Sequence, residues 1–159
     1  MAALNRSTAR LAAVQALYQM DVSGAGVAEV FAQFESHWIG REIEGETYAP
    51  VELAFFRDIV SGVLDDQRAI DLHVDAALAK GWPLRRVEAV LRAILRAGTY
   101  ELRKRRDVPV RAIISEYVDI AAAFHDRDES GLVNAVLDTL AHDFRADEFE
   151  PKAGSGRGE

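Results

Sequence analysis

Apolar residues recur along this chain at helical intervals. Val27, Val30, Phe31, Phe34 and Trp38 fall at i, i+3, i+4, i+7 and i+11, one face of an amphipathic helix. Before it, the stretch RSTARLAAVQALYQ, Arg6 to Gln19, places Leu11, Val14, Leu17 and Tyr18 on a stripe with Ser7 or Thr8 as N-cap, which predicts a first helix over about 8–21. A polar, glycine-bearing loop, IGREIEGETYA, leads to Pro50, suited to the first turn of a third helix that buries Leu53, Phe56, Ile59, Val60, Val63 and Leu64. Asp66 is placed to cap a fourth helix through Ile70, Val74, Ala77 and Leu78, ending at Gly81.

The dipeptides of GWP at 81–83 mark a boundary between an N-terminal bundle, about 8–80, and a C-terminal one, about 83–146. Pro83 is expected to restart a helix whose inner face carries Leu84, Val87, Leu91, Ile94, Leu95, Gly98 and Leu102 and which stops before Pro109. A sixth helix follows with Val110, Ile113, Ile114, Tyr117, Val118, Ala121 and Phe124, and a seventh with Leu132, Val133, Val136, Leu137, Leu140 and Phe144. The tail, 151–159, has nothing to bury and is expected to be disordered. Seven helices with short connections, and no sustained strand alternation, imply an all-α bundle protein.

Composition narrows the function. The 159 residues contain no cysteine, so disulfides, thiolate nucleophiles and cysteine-ligated metals are excluded, and a cytoplasmic setting is expected. No apolar run approaches the roughly 18 residues of a membrane span. Net charge is −7, but residues 85–106 carry eight basic and two acidic residues, which makes that segment +6 and leaves −13 on the rest. A polyanion could therefore be met locally.

Catalytic signatures are missing: there is no phosphate-binding glycine loop, no nucleophile elbow, and no paired spacing among His37, His73, His125 and His142. The run DRDESG, Asp126 to Gly131, opens like a calcium loop, yet Leu137 stands where the bidentate carboxylate belongs, so a helix N-terminus fits it better. Neither an enzyme nor a resident metal or cofactor is expected.

Two positive features remain. The chain begins with Arg6 and Arg10 and has no acid before Asp21. On the fifth helix Arg85, Arg92, Arg96 and Arg103, spaced 7, 4 and 7, form one line opposite the leucines; that line is either a solvated face or one turned to a polyanion or partner.

The run WPLRRVEAVLRAILRAGTYELRKRRDVPVRAIISEYVDIAAAF, followed by LVNAVLD, with ARLAAVQALYQ at the start and FFRDIVSGV between, resembles the NusB family of bacterial transcription antitermination factors. The resemblance spans residues 6–144. It implies two packed three-helix bundles with a linking helix, no enzymatic activity, and binding of boxA RNA together with NusE, a small-subunit ribosomal protein, in the RNA polymerase elongation complex. It leaves a homodimer open.

Carried onto this sequence, the resemblance implies an RNA side of Arg6, Ser7, Arg10, Tyr18, Ser130 and Asn134, and a NusE side of Leu91, Arg92 and Val110. The family's arginine-rich segment reads Arg6, Ser7, Thr8, Arg10 here, and its Asn-Glu pair in the sixth helix is Ser115-Glu116. Tyr18 is either a core ring or a rim residue whose hydroxyl reaches RNA. The rival to joint RNA binding is a protein–protein adaptor that docks NusE with little RNA affinity of its own.

Overall fold

A computed structural model of the chain describes the backbone of residues 2–38, 42–43, 46–47, 50–78, 87–124 and 127–149, and the side chains of 6–35, 53–78, 87–124 and 129–149. Among these residues seven helices carry the fold: α1 (Ala2–Ser23), α2 (Val27–Trp38), α3 (Pro50–Asp65), α4 (Gln67–Ala77), α5 (Ala89–Lys104), α6 (Val110–Phe124) and α7 (Arg127–Phe144). A 3₁₀ turn at Ala146–Glu148 follows α7, and a two-residue antiparallel pair, β1 (Glu42–Ile43) with β2 (Glu46–Thr47), sits in the connection between α2 and α3. No helix among the described residues is long and apolar enough to cross a membrane.

Helices α1, α2 and α3 pack as one group and α5, α6 and α7 as another, with α4 lying against α3, α5 and α7. The predicted all-α architecture is therefore present. One buried cluster runs without a break from Ala9 in α1 to Ala141 in α7. At its centre α5 touches α1, α3, α4, α6 and α7, and of residues 93–102 all but the half-buried Arg96 are buried, as in a helix surrounded by others. Contact with α3 is closest at Gly62, where any Cβ would enter the ring of Tyr100, whose hydroxyl donates to Asp58 Oδ1 at 2.7 Å.

Several local expectations change. The first helix is longer than 8–21, and its inner face is not the leucine stripe: Ala9, Ala12, Ala13 and Ala16 are buried with Val14 and Leu17, whereas Leu11 and Tyr18 face outward. Small side chains let α1 approach α3 and α5 closely, and this outweighs burying one more leucine. Asp66 does not cap α4 through its side chain, which pairs instead with the Arg103 guanidinium of α5, a full cation in place of a backbone dipole. The fifth helix begins at Ala89, not Pro83: Glu88 is extended, and Arg92 Nη1 donates to the Val87 carbonyl at 2.6 Å. The GWP boundary, the start at Leu84 and the tail 151–159 lie outside the described residues.

The end of α5 is closed by a residue that helical periodicity does not single out. Arg145, fully buried, donates to the carbonyls of Leu102 (2.8 Å), Glu101 (2.9 Å), Arg105 (2.7 Å) and Val108 (2.6 Å) and to Glu148 Oε2 (3.1 Å). A guanidinium has five N–H donors, and all are used. The carbonyl of Leu102 near the C-terminus of α5 and that of Val108 beyond it are thereby satisfied inside the protein, and those of Glu101 and Arg105 each gain a second donor beside a backbone N–H.

Arg145→Lys is expected to lower stability by about 3 kcal/mol, since an ammonium leaves some of these buried carbonyls without a donor. Arg106→Lys, at an exposed pair with Asp147, should stay within about 0.5 kcal/mol. Urea denaturation of both variants decides it: equal midpoints would remove Arg145 from the role of cap.

Candidate nucleic-acid interface

α1 separates its residues into two sets. Leu11, Gln15, Tyr18 and Val22 recur every three or four positions and point outward, with Tyr18 39% exposed, while Ser7, one turn earlier on the same line, is half-buried against α6. Tyr18 is therefore a surface ring and not part of the core.

Arg10 turns the other way. It is 4% exposed, and its Nε and Nη2 donate to Glu101 Oε2 (2.7 Å) and Oε1 (2.9 Å), while the Tyr117 hydroxyl donates to Oε2 at 2.6 Å. The expectation that Arg10 follows a phosphate backbone is corrected by this placement, because releasing it would leave Glu101 charged, buried and without its cation. Burial alone would lower the pKa of Arg10, but the hydrogen bond and charge of Glu101 outweigh it and the net shift is upward. Burial first, and then the charge of Glu101, push the Tyr117 phenol well above its ordinary value.

Arg6 stays at the surface with 45% of its side chain exposed, its guanidinium 4.5 Å from the centre of the Phe55 ring and 3.8 Å from Asp107 Oδ2. Arg10 and Arg105 face the same buried ring at 5.1 and 4.9 Å. Ser7 Oγ donates to Glu116 Oε1 at 2.8 Å, which ties α1 to α6. Of the two opening arginines, only Arg6 is available to a phosphate.

The arginine line of α5 follows neither reading of it. Arg92 binds Asp21 at 2.9 Å, Arg96 grips Asp71 at 2.8 and 2.9 Å, and Arg103 pairs with Asp66. Arg105 adds bonds of 3.0 Å to Asp58 and to both oxygens of Asp107, and those bonds hold the Asp107 carboxyl below the usual carboxylate range. The line is an internal seam from α5 to α1, α3 and α4. Arg85 lies outside the described residues.

The remaining expected site residues are not brought together. Leu91, in the first turn of α5, and Val110, the first residue of α6, are both buried. They do not form one exposed partner surface with Arg92. Ser130 lies in the first turns of α7, and Asn134 opens into a groove between α6 and α7, across α6 from α1. Residues 127–131 are helical, not a loop wrapped around a cation, and no cluster of three or more metal-ligating side chains occurs among the described residues. Sequence reasoning missed Gln15, one turn from Leu11 and Tyr18 on the outward line, although the alanine stripe 9, 12, 13, 16 on the opposite face would have located it.

Comparison with known proteins gives one answer. The profile of the NusB family matches residues 7–142. The transcription antitermination protein NusB of Bradyrhizobium diazoefficiens is 65% identical over 144 residues, 91% of this chain and 87% of that protein, and the NusB of Rhodopseudomonas palustris strain HaA2 is 64% identical over 144 residues, 91% and 85%. Among solved structures, T. maritima NusB superimposes with a TM-score of 0.77 at 26% identity, covering 92% of this chain and 97% of that one. A crystal structure of antitermination factors NusB and NusE in complex with dsRNA has a TM-score of 0.73 over 88% of this chain and 98% of that one; at 21% identity it speaks for the fold.

Two outcomes follow from the geometry. Arg10→Ala should destabilise the protein by about 3–5 kcal/mol, as loss of one partner of a buried pair does, whereas Arg6→Ala should leave the melting temperature unchanged and flatten the dependence of log RNA affinity on log salt by about 0.7. An Arg10→Ala protein of undiminished stability would refute the buried pair.

The alkaline limb of stability carries a second signature. Tyr117 and Tyr100 both have folded-state pKa values raised above the unfolded one, Tyr100 by burial and then by its bond to Asp58. A phenol with a raised pKa contributes stability that is complete below about pH 10 and is lost as pH rises further, each at up to about 1.4 kcal/mol per pH unit. Tyr117→Phe should make the fall between pH 10 and 11.5 shallower by one such step, read from urea midpoints; an unchanged slope would show that Tyr117 ionises in the folded protein as it does in the unfolded chain.

Proposed function

The chain belongs to the NusB family, and on that premise we propose that it is a transcription antitermination factor that binds boxA-type single-stranded RNA jointly with NusE and joins the RNA polymerase elongation complex in support of ribosomal RNA transcription. The observation that carries this reading is the outward face of α1. There an exposed Tyr18 ring and Gln15 stand on a helix fixed by the Arg10–Glu101 pair, with Arg6 at its start. Single-stranded RNA offers unstacked bases, which aromatic rings accept at about 1–3 kcal/mol each, and a rigid helix presents such a ring without ordering it on binding.

The same geometry supports a role for a partner. Arg10, Arg92, Arg96, Arg103 and Arg105 are each bonded to carboxylates of this chain, so little of its positive charge is left for phosphates. NusE would supply basic surface beside α1, and a joint site gains contacts without a second full loss of translational freedom. The internal pairing of these arginines also favours the adaptor reading, in which NusE docks and RNA affinity resides in NusE.

Titration of boxA RNA with the chain alone and with the preformed NusE heterodimer, in one buffer at several salt concentrations, separates the two. Joint binding requires at least a tenfold lower Kd for the heterodimer than for either protein alone, and Tyr18→Ala should raise that Kd by about fivefold or more with no change in melting temperature. A heterodimer that binds no better than NusE would establish the adaptor reading.

A further inference from the structure

Between α6 and α7 lies an open groove of about 710 Å³. Val110, Ile114 and Val118 form its α6 wall, and Phe149, 40% exposed just after the 3₁₀ turn, closes one end. Phe149 is held in place by His142, whose ring stacks on it at 3.7 Å between centroids. Soluble proteins rarely leave so connected an apolar lining open without a partner for it. The outward face of α1 is on the far side of α6, so this groove does not belong to the proposed RNA surface.

Its charges decide what it takes. Asp119, Asp138 and Glu148 line it, against a single cation, Arg111. Glu148 is engaged by Arg145 and Asp138 lies 3.7 Å from His142 Nδ1, whereas Asp119, exposed on the facing helix, has no lysine or arginine bonded to it among the described residues. Such a rim repels phosphates and attracts ammonium and guanidinium groups. Asn134, exposed beside it, offers an amide to a peptide backbone.

We propose that the α6–α7 groove is a docking site for a basic, amphipathic peptide segment of a protein partner, its apolar side chains seated on Ile114, Val118 and Phe149 and its cations on Asp119 and Asp138. The mode is that of a helix laid in a groove, with anchors at i, i+3 or i+4 and i+7. The groove stands independently of the proposed RNA surface on α1, and with that surface it lets this chain bind on two sides at once. Asn134, given to RNA by family resemblance, then contacts protein.

The test uses the full chain, labelled with ¹⁵N, and three probes: a 14-residue helix-forming peptide of leucine and lysine, its counterpart with glutamate for every lysine, and a 12-nucleotide oligouridine. The lysine peptide should shift the amides of Val110, Ile114, Val118 and Asn134 and bind at least tenfold tighter than the glutamate peptide. Asp119→Asn with Asp138→Asn, both at exposed positions, should weaken it threefold or more, and Ile114→Glu should abolish it. Equal binding of the two peptides, shifts confined to other surfaces, or shifts of these amides by oligouridine would each overturn the proposal. So would shifts that arise without peptide as the chain is concentrated, which would place a second copy in the groove.

Discussion

The carboxylate of Glu101 sits where α1, α5 and α6 converge, with no exposure to solvent. A charge so placed is tolerable only if every lone pair facing the interior meets a donor, and Arg10 from α1 and Tyr117 from α6 supply them. Its backbone carbonyl is shared between the Arg105 N–H and Arg145. One residue thus fixes the rotation of α1 about its axis, the approach of α6 and the seat of the C-terminal turn. The outward line of α1 depends on that rotation, because turning α1 to free Arg10 would strand Glu101.

The rest of the cationic inventory obeys similar logic. The elements around α5 present acids along their contact edges, Asp21, Asp58, Asp66 and Asp71, and the arginines of α5, with Arg105 just beyond its end, reach them over the rim of the core. These pairs are partly solvated, so each contributes modestly to stability, but together they set the register of three helices against a fourth. The surface left over is acidic in places, notably along α6 and α7, and nearly uncharged along α1. A polyanion-binding function on such a surface works by stacking and by borrowed charge, in contrast to an arginine-rich arm that binds by charge alone.

Helices with bulky residues at i, i+3 and i+4 were legible because only one face of each could be buried: Val30 and Phe56, Ile113 and Tyr117, Val133 and Leu137 are all inside, and the family resemblance drawn from ILR, YEL and VNAVLD placed them in the correct architecture. α1 misleads because it has two apolar faces. The leucine and tyrosine of one are larger, but the alanines of the other permit closer packing, and which face wins is decided by α3 and α5, not by α1 itself. The fate of the α5 arginines was hidden for a related reason. Their partners stand 25 to 75 residues away in sequence, so no local pattern announces them, although an unmixed basic line in an acidic chain was itself a sign that acids elsewhere had to answer it. Arg145 follows the last apolar position of its helix, where periodicity has nothing to say. The RNA candidates Ser7, Tyr18, Ser130 and Asn134 came from resemblance alone, and resemblance carries no information about which side of α6 each one faces.

The seam along α5 has a consequence for a chain made from one end. Residues 1–84 contain six basic and twelve acidic residues, a charge of −6, and residues 85–106 carry +6. On the ribosome the first four helices therefore emerge as a self-repelling segment that also lacks Glu101 for Arg10 and Tyr100 for the notch at Gly62. α5 arrives as counterion and core in one piece. The acids and the alanine face of the N-terminal half are answered by α5, so the two stretches of chain complement each other in charge as well as in packing.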